Sequence, residues 1–138
     1  MDDKCLHLVP LDRLAVAWGT ARRWIMGAAD RIGEYNDGDI LLALYNCKFR
    51  LFIAYDNNVP FGAFTAQISI FPRKTVATVV HLGSDDFEKI MTLLPKFDSW
   101  ARANGAESVR IYGRQGFEKT LPEYGFEKSL ICMEKNYG

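Results

Sequence analysis

Apolar residues first recur at helical spacing. Leu11, Leu14, Ala15, Trp18, Ile25 and Ile32 fall on one stripe, with Arg13, Arg22, Arg23 and Arg31 between them, so an amphipathic helix is expected from Leu11 to Ile32, ending near Gly33. A second, shorter helix follows "NDGD", with Asp37 or Asp39 as its cap and Ile40, Leu41, Leu44 and Tyr45 as its buried side. The period then changes to two. "RLFIAYDNNVPFGAFTAQISIFPRKTVATVVHL" predicts three strands, Arg50 to Tyr55, Val59 to Phe71 and Thr75 to Leu82. They are joined by Asp56-Asn57-Asn58, whose residues tolerate positive φ, and by Pro72-Arg73-Lys74, where proline ends the ladder. Helical spacing returns from about Asp86 to Ala103, with Phe87, Ile90, Met91, Leu94, Phe97 and Ala101 on one face, a kink expected at Pro95, and a stop at Asn104-Gly105. A strand "ESVRIYG", a turn "RQGF", a short helix interrupted by Pro122 and a last strand "KSLICMEK" complete the pattern.

This order is that of an α+β chain with an antiparallel meander followed by a parallel, right-handed crossover. At 138 residues, close to half of them apolar, and with no repeat or linker, one domain spanning 1–138 is expected, able to bury a core without disulfides or metal. Lys and Arg balance Asp and Glu at 17 each, so no global field draws nucleic acid or anionic lipid, and the basic residues form no run interleaved with aromatics. No apolar run reaches the ~18 residues of a membrane span, and the start carries no signal-peptide pattern; an intracellular protein is expected. Cys5, Cys47 and Cys132 fit neither a disulfide framework nor a zinc cage and are expected as buried thiols. No metal site is expected.

The element order, and the stretch "WARANGAESVRIYGRQGFEKTLPEYGF", resemble the GNAT N-acetyltransferase family, in which a helix, "GA", strand, helix and "GF" follow one another. "FDSWARANGAESVRIYGRQGFEKTLPEYGF" is also similar to small GNAT-like proteins of tailed bacteriophages, where W-A-x-x-x-G-A/C precedes G-R-x-G-[WF]. The resemblance implies a central mixed sheet flanked by helices. It also implies an acyl-coenzyme A site at splayed strands, between the end of Thr75 to Leu82 and Val109 to Tyr112, with Leu82, Gly83 and Ser84 as cofactor-binding residues.

Two features depart from the family pattern. Its diphosphate turn reads Q/R-x-x-G-x-G/A, whereas "HLGSDDFEK" offers one glycine, no base before Lys89, and the acids Asp85, Asp86 and Glu88. Asp85 is expected to cap the following helix, with Glu88 reaching back in a capping box; carboxylates there stabilise the helix end and repel a diphosphate. The family's tyrosine acid stands four residues before "GF", a position held here by Leu121, while Tyr124 abuts Gly125 and Tyr112 lies on the preceding strand.

His81, at the end of a central strand, reads either as a general base for amine deprotonation or as a partly buried histidine hydrogen-bonded to backbone. Arg114, in the "GRQGF" turn, reads as a phosphate or carboxylate contact or as part of a solvated turn. The strand 59 to 71 is long and apolar on much of both sides, and could extend past its neighbours to meet another chain.

The expected function is that of a phage-encoded GNAT-fold protein that has lost acetyl transfer. It would bind a protein partner, in the virion or in the host cytoplasm, with no cofactor, no membrane or nucleic-acid partner, and with an oligomer possible. The alternative is an active N-acetyltransferase using acetyl-coenzyme A, with His81 as base and Tyr112 or Tyr124 as acid.

Overall fold

The computed structural model describes residues 3–112 and 117–138. Five strands form one sheet in chain order: β1 (Lys4–Leu8), β2 (Arg50–Asp56), β3 (Val59–Ile70), β4 (Thr75–Ser84) and β5 (Ser108–Ile111). The first four pair antiparallel, and β4 and β5 pair parallel. The meander and the parallel crossover are therefore as the sequence implies. β1 was not foreseen, because "KCLHL" is short and its alternation of half-buried and exposed positions is that of an edge strand. The turn between β2 and β3 is a two-residue hairpin in which Asn57 and Asn58 hold φ of 50° and 65°.

Helices cover both faces. On one side lie α1 (Leu14–Ile32), entered through a 3-10 turn (Leu11–Arg13), and α2 (Asp37–Tyr45). Leu14, Trp18, Ala21, Ile25, Ala28 and Ala29 lie on the buried side of α1, whereas Leu11, Ala15 and Ile32, expected on it, are exposed. Gly33 at φ 76° closes α1. Asn36, not an aspartate, caps α2, and Asp39 returns the bond to the Asn36 amide in a capping box. Asp37 is left to accept Trp18 Nε1–H at 3.1 Å and to pair with Arg22, tying α2 to α1.

On the other side lie α3 (Phe87–Met91) and α4 (Leu94–Ala103). The single kinked helix expected here is two helices, because Pro95 sits in the first turn of α4, where its missing N–H has no partner to lose. Phe97 is fully buried and meets the stacked rings of Phe52 and Phe64 edge-on at 5.3 and 5.2 Å.

After β5 come a short helix, α5 (Phe117–Thr120), and a 3-10 turn (Leu121–Tyr124) that holds Pro122. The turn beginning at Gly113, and with it Arg114, lies outside the described residues. The last strand expected at Lys128 to Lys135 is absent: residues 127–138 carry neither helix nor strand and are exposed. Among the described residues no strand pairs with them. No described helix is long and apolar enough to cross a membrane.

The thiols correct a second expectation. Cys5, Cys47 and Cys132 are all free and exposed, on the outer face of the edge strand, in the left-handed residue after α2 (φ 63°), and in the C-terminal segment.

Candidate functional site

β4 is where the two cores part company. Its pairing with β3 shifts at Val80: Ala66 faces Val79, Thr65 faces His81, and Val80 is the extra residue of a bulge. Strict alternation would turn His81 toward the α3/α4 face with Ala77 and Val79. The bulge instead sends Val80 and His81 both toward α1 and α2. The same point marks the end of the parallel pairing among the described residues: the Tyr112 amide donates to the Val79 carbonyl at 3.1 Å, while β4 continues to Ser84.

His81 is 1% exposed. Its ring lies edge-on to Tyr35 and Phe49 at 5.7 and 5.8 Å. Nδ1 is 2.8 Å from Thr65 Oγ1, which also accepts the His81 backbone amide at 3.2 Å. The buried Thr65 hydroxyl finds an acceptor for its own proton only in Nδ1, which puts the ring proton on Nε2, an atom without a partner. Burial lowers the His81 pKa from 6.5 to about 4. The histidine is thus bonded to a threonine side chain, more than to backbone, and its ring is directed away from the cleft.

The cleft lies at the end of β4, between Leu82, Gly83 and Ser84 on the strand, Arg23, Trp24, Gly27 and Arg31 on α1, and Phe87 and Phe117 across from them, with a volume of about 220 Å³. Leu82, Gly83 and Ser84, expected as the cofactor-binding residues, are therefore brought together in it. Gly83 is there for a reason of packing: a Cβ on it would sit 2.4 Å from the Trp24 carbonyl oxygen, so α1 lies directly on the strand. The α1 residues were missed by sequence reasoning. The available signal was the spacing of Arg23, Gly27 and Arg31, which places all three on one face of the helix.

The turn from β4 into α3 spends its polar groups inside the protein. The Asp85 amide donates to the Phe61 carbonyl at 2.8 Å, the Asp86 amide to Ser84 Oγ at 3.0 Å, and the Lys89 amide to Asp86 Oδ1 at 3.1 Å. Asp86 is the N-cap, and the capping box expected from Asp85 and Glu88 does not form. The Asp85 carboxylate is drawn instead to α1, where it accepts Trp24 Nε1–H at 3.0 Å and pairs with Arg23 at 3.3 Å. Lys89 pairs with Asp56 at 2.8 Å, and this bond raises its pKa. Across the mouth, Phe87 and Phe117 stack at 4.7 Å, joining the start of α3 to the start of α5.

The three candidate catalytic residues do not converge. His81 is inside the α1/α2 core, Tyr124 packs half-buried against the α3/α4 core, and Tyr112 is 57% exposed beyond β5. Among the described residues no group of three His, Cys, Asp or Glu could hold a metal ion.

No family model matches the sequence, and no curated protein matches it in sequence. Solved structures do match in fold. An aminoglycoside acetyltransferase, meta-AAC0020, from an uncultured soil metagenomic sample, in complex with sisomicin, superposes with a TM-score of 0.70 at 15% identity over 99% of this chain and 97% of that one. A second from an uncultured soil sample, HMB0005, gives 0.71 at 12% over 98% and 99%. Aminoglycoside N-acetyltransferase AAC(6')-Iy, in complex with CoA, gives 0.68 at 14% over 99% and 96%. The chain has the fold of the GNAT acetyltransferases. At such identities the likeness is one of fold.

Proposed function

We propose that this protein keeps the GNAT fold without acetyl transfer and works by binding another protein, as a virion-associated component or as an effector of a host protein. The observation that carries the first half is the β4–α3 turn. A diphosphate at such a turn is held by free backbone N–H groups and the positive end of a helix. Here the amides of Asp85, Asp86 and Lys89 are already bonded, the Asp86 carboxylate caps the helix start, and α3 has only five residues. Phe87 and Phe117, stacked on one another, line the cleft. The second half rests on the likeness of "WARANGAESVRIYGRQGF" to the small phage proteins.

A second reading, an active N-acyltransferase from acetyl-coenzyme A to an amine, draws on the cleft itself, which holds Arg23 and Arg31 beside Gly83. A thermal melt with acetyl-coenzyme A separates the two. At about a hundred times the dissociation constant a binder gains roughly 2.7 kcal/mol, or on the order of 8 °C for a domain of this size. No shift up to millimolar coenzyme is expected, and a clear rise would overturn the proposal. Mass spectrometry of purified particles tests the virion role: a fixed copy number supports it, and absence sends the search to host proteins.

A further inference from the structure

α1 packs on the middle of the sheet, over β3 and β4, and Gly83 brings it into backbone contact there. Toward the other edge it stands off from β1 and β2, leaving a groove of about 310 Å³, larger than the cleft at the end of β4. One wall is the start of α1 with the residue before it: Arg13, Val16, Ala17 and Thr20 stand at i, i+3, i+4 and i+7, one face along about 10 Å of helix. The other wall is His7 of β1 and Tyr55 of β2, whose rings meet edge-on at 6.5 Å. Both point to the α1/α2 side of the sheet, because Tyr55 and Ile53, the partner of His7, pack in that core. Val9, which is buried, completes the lining.

We propose that this groove binds a small aromatic carboxylate. Its one permanent charge is the Arg13 guanidinium, which makes no ion pair among the described residues, and none of the lining side chains is a carboxylate. The cleft differs in this respect, since its Arg23 is already paired with Asp85. A guanidinium fork matches the two oxygens of a carboxylate, and the Tyr55 and Thr20 hydroxyls stand by as further donors. A phosphate dianion needs more positive charge or free backbone amides, and the amides here are taken: that of Arg13 donates to the Pro10 carbonyl at 3.0 Å and that of Leu14 to the Leu11 carbonyl. The rest of the lining is apolar or aromatic, which selects a ligand with a ring over a bare anion. Val16, 80% exposed in the free chain, is apolar surface that such a ring covers. The groove borders the N-terminal half of α1 and the cleft its C-terminal half, so the proposal does not depend on whether the cleft binds coenzyme or on the protein partner.

The test titrates phenylacetate into the isotope-labelled full chain, followed by amide nuclear magnetic resonance, with phenylacetamide as a control of the same shape and no charge. Millimolar phenylacetate is expected to shift the amides of residues 7–9, 13–20 and 55 and to leave those of Leu82, Gly83 and Ser84 in place. Phenylacetamide is expected to shift neither set. Arg13→Gln is expected to weaken binding about tenfold or more, and Arg13→Lys, which keeps the charge and loses the fork, by less. Equal shifts with phenylacetamide, an Arg13→Gln chain that binds as the natural one does, shifts at the β4 cleft in place of the groove, or no shift at tens of millimolar phenylacetate would overturn the proposal.

Discussion

Thr65 and His81 face each other across β3 and β4 with 2.8 Å between hydroxyl oxygen and Nδ1, both side chains buried. With its pKa lowered from 6.5 to about 4, the imidazole is neutral in the fold. Above pH 6.5 the unfolded chain is neutral there as well, and the full stability is present. As pH falls from about 6.5 toward 4, the unfolded state takes up a proton that the folded state refuses, so stability is lost through that window, by on the order of 3 kcal/mol. Urea melts at pH 7 and pH 4.5 should show this loss in the natural chain and a smaller one in His81→Phe, whose ring suits the contacts with Tyr35 and Phe49. Equal losses in both would place the acid sensitivity elsewhere.

Gly83 is the point of closest contact between strand and helix. A methyl group there meets the Trp24 carbonyl oxygen at 2.4 Å and its carbon at 2.8 Å, both backbone atoms that cannot rotate away. Gly83→Ala should cost about 3 kcal/mol or more, seen as a lowered melting temperature, whereas Gly27→Ala, with nothing within 4 Å, should be neutral or slightly stabilising. A mild Gly83→Ala would mean that α1 can lift from the sheet, and that the cleft is wider in solution.

Under the proposed reading, the Phe87–Phe117 stack and the turn's bonded amides are two separate obstacles to coenzyme. Phe117→Ala removes the first and leaves the second, so it should gain no thermal shift with acetyl-coenzyme A. A shift gained by this variant alone would overturn the part of the proposal that rests on the turn and assign the obstacle to the aromatic pair.

All three thiols should react with an aromatic disulfide reagent in the native protein at pH 8, without denaturant, because each is exposed. A thiol that reacts only after denaturant is added would place that cysteine inside the fold and contradict its surface position.

Much of the architecture was legible because it follows from local rules. Period two between Arg50 and Leu82, the Asn57-Asn58 hairpin and the helical stripes are consequences of where side chains point along a single element. Asn104-Gly105 and Gly33 ended their helices as such residues do. Pro95 was read as an interruption, and only the mode, a new helix start in place of a kink, needed the fold.

The site was less legible, since each of its decisions is made between elements. Whether Asp85 or Asp86 capped α3 depended on Trp24 and Arg23, some sixty residues earlier, offering Asp85 better partners. Which face His81 took depended on the Val80 bulge, a register slip between two strands that neither strand's sequence announces. The cleft's α1 residues came into it only because Gly83 admits the helix. The sequence by itself determined the central three strands, the two N-terminal helices and the acidic character of the β4–α3 turn, for these need only neighbours along the chain. Tertiary structure alone decided which amides that turn had left to offer, which face held the histidine, and that the final strand-like segment joined no ladder among the described residues, because each is fixed by contacts between residues distant along the chain.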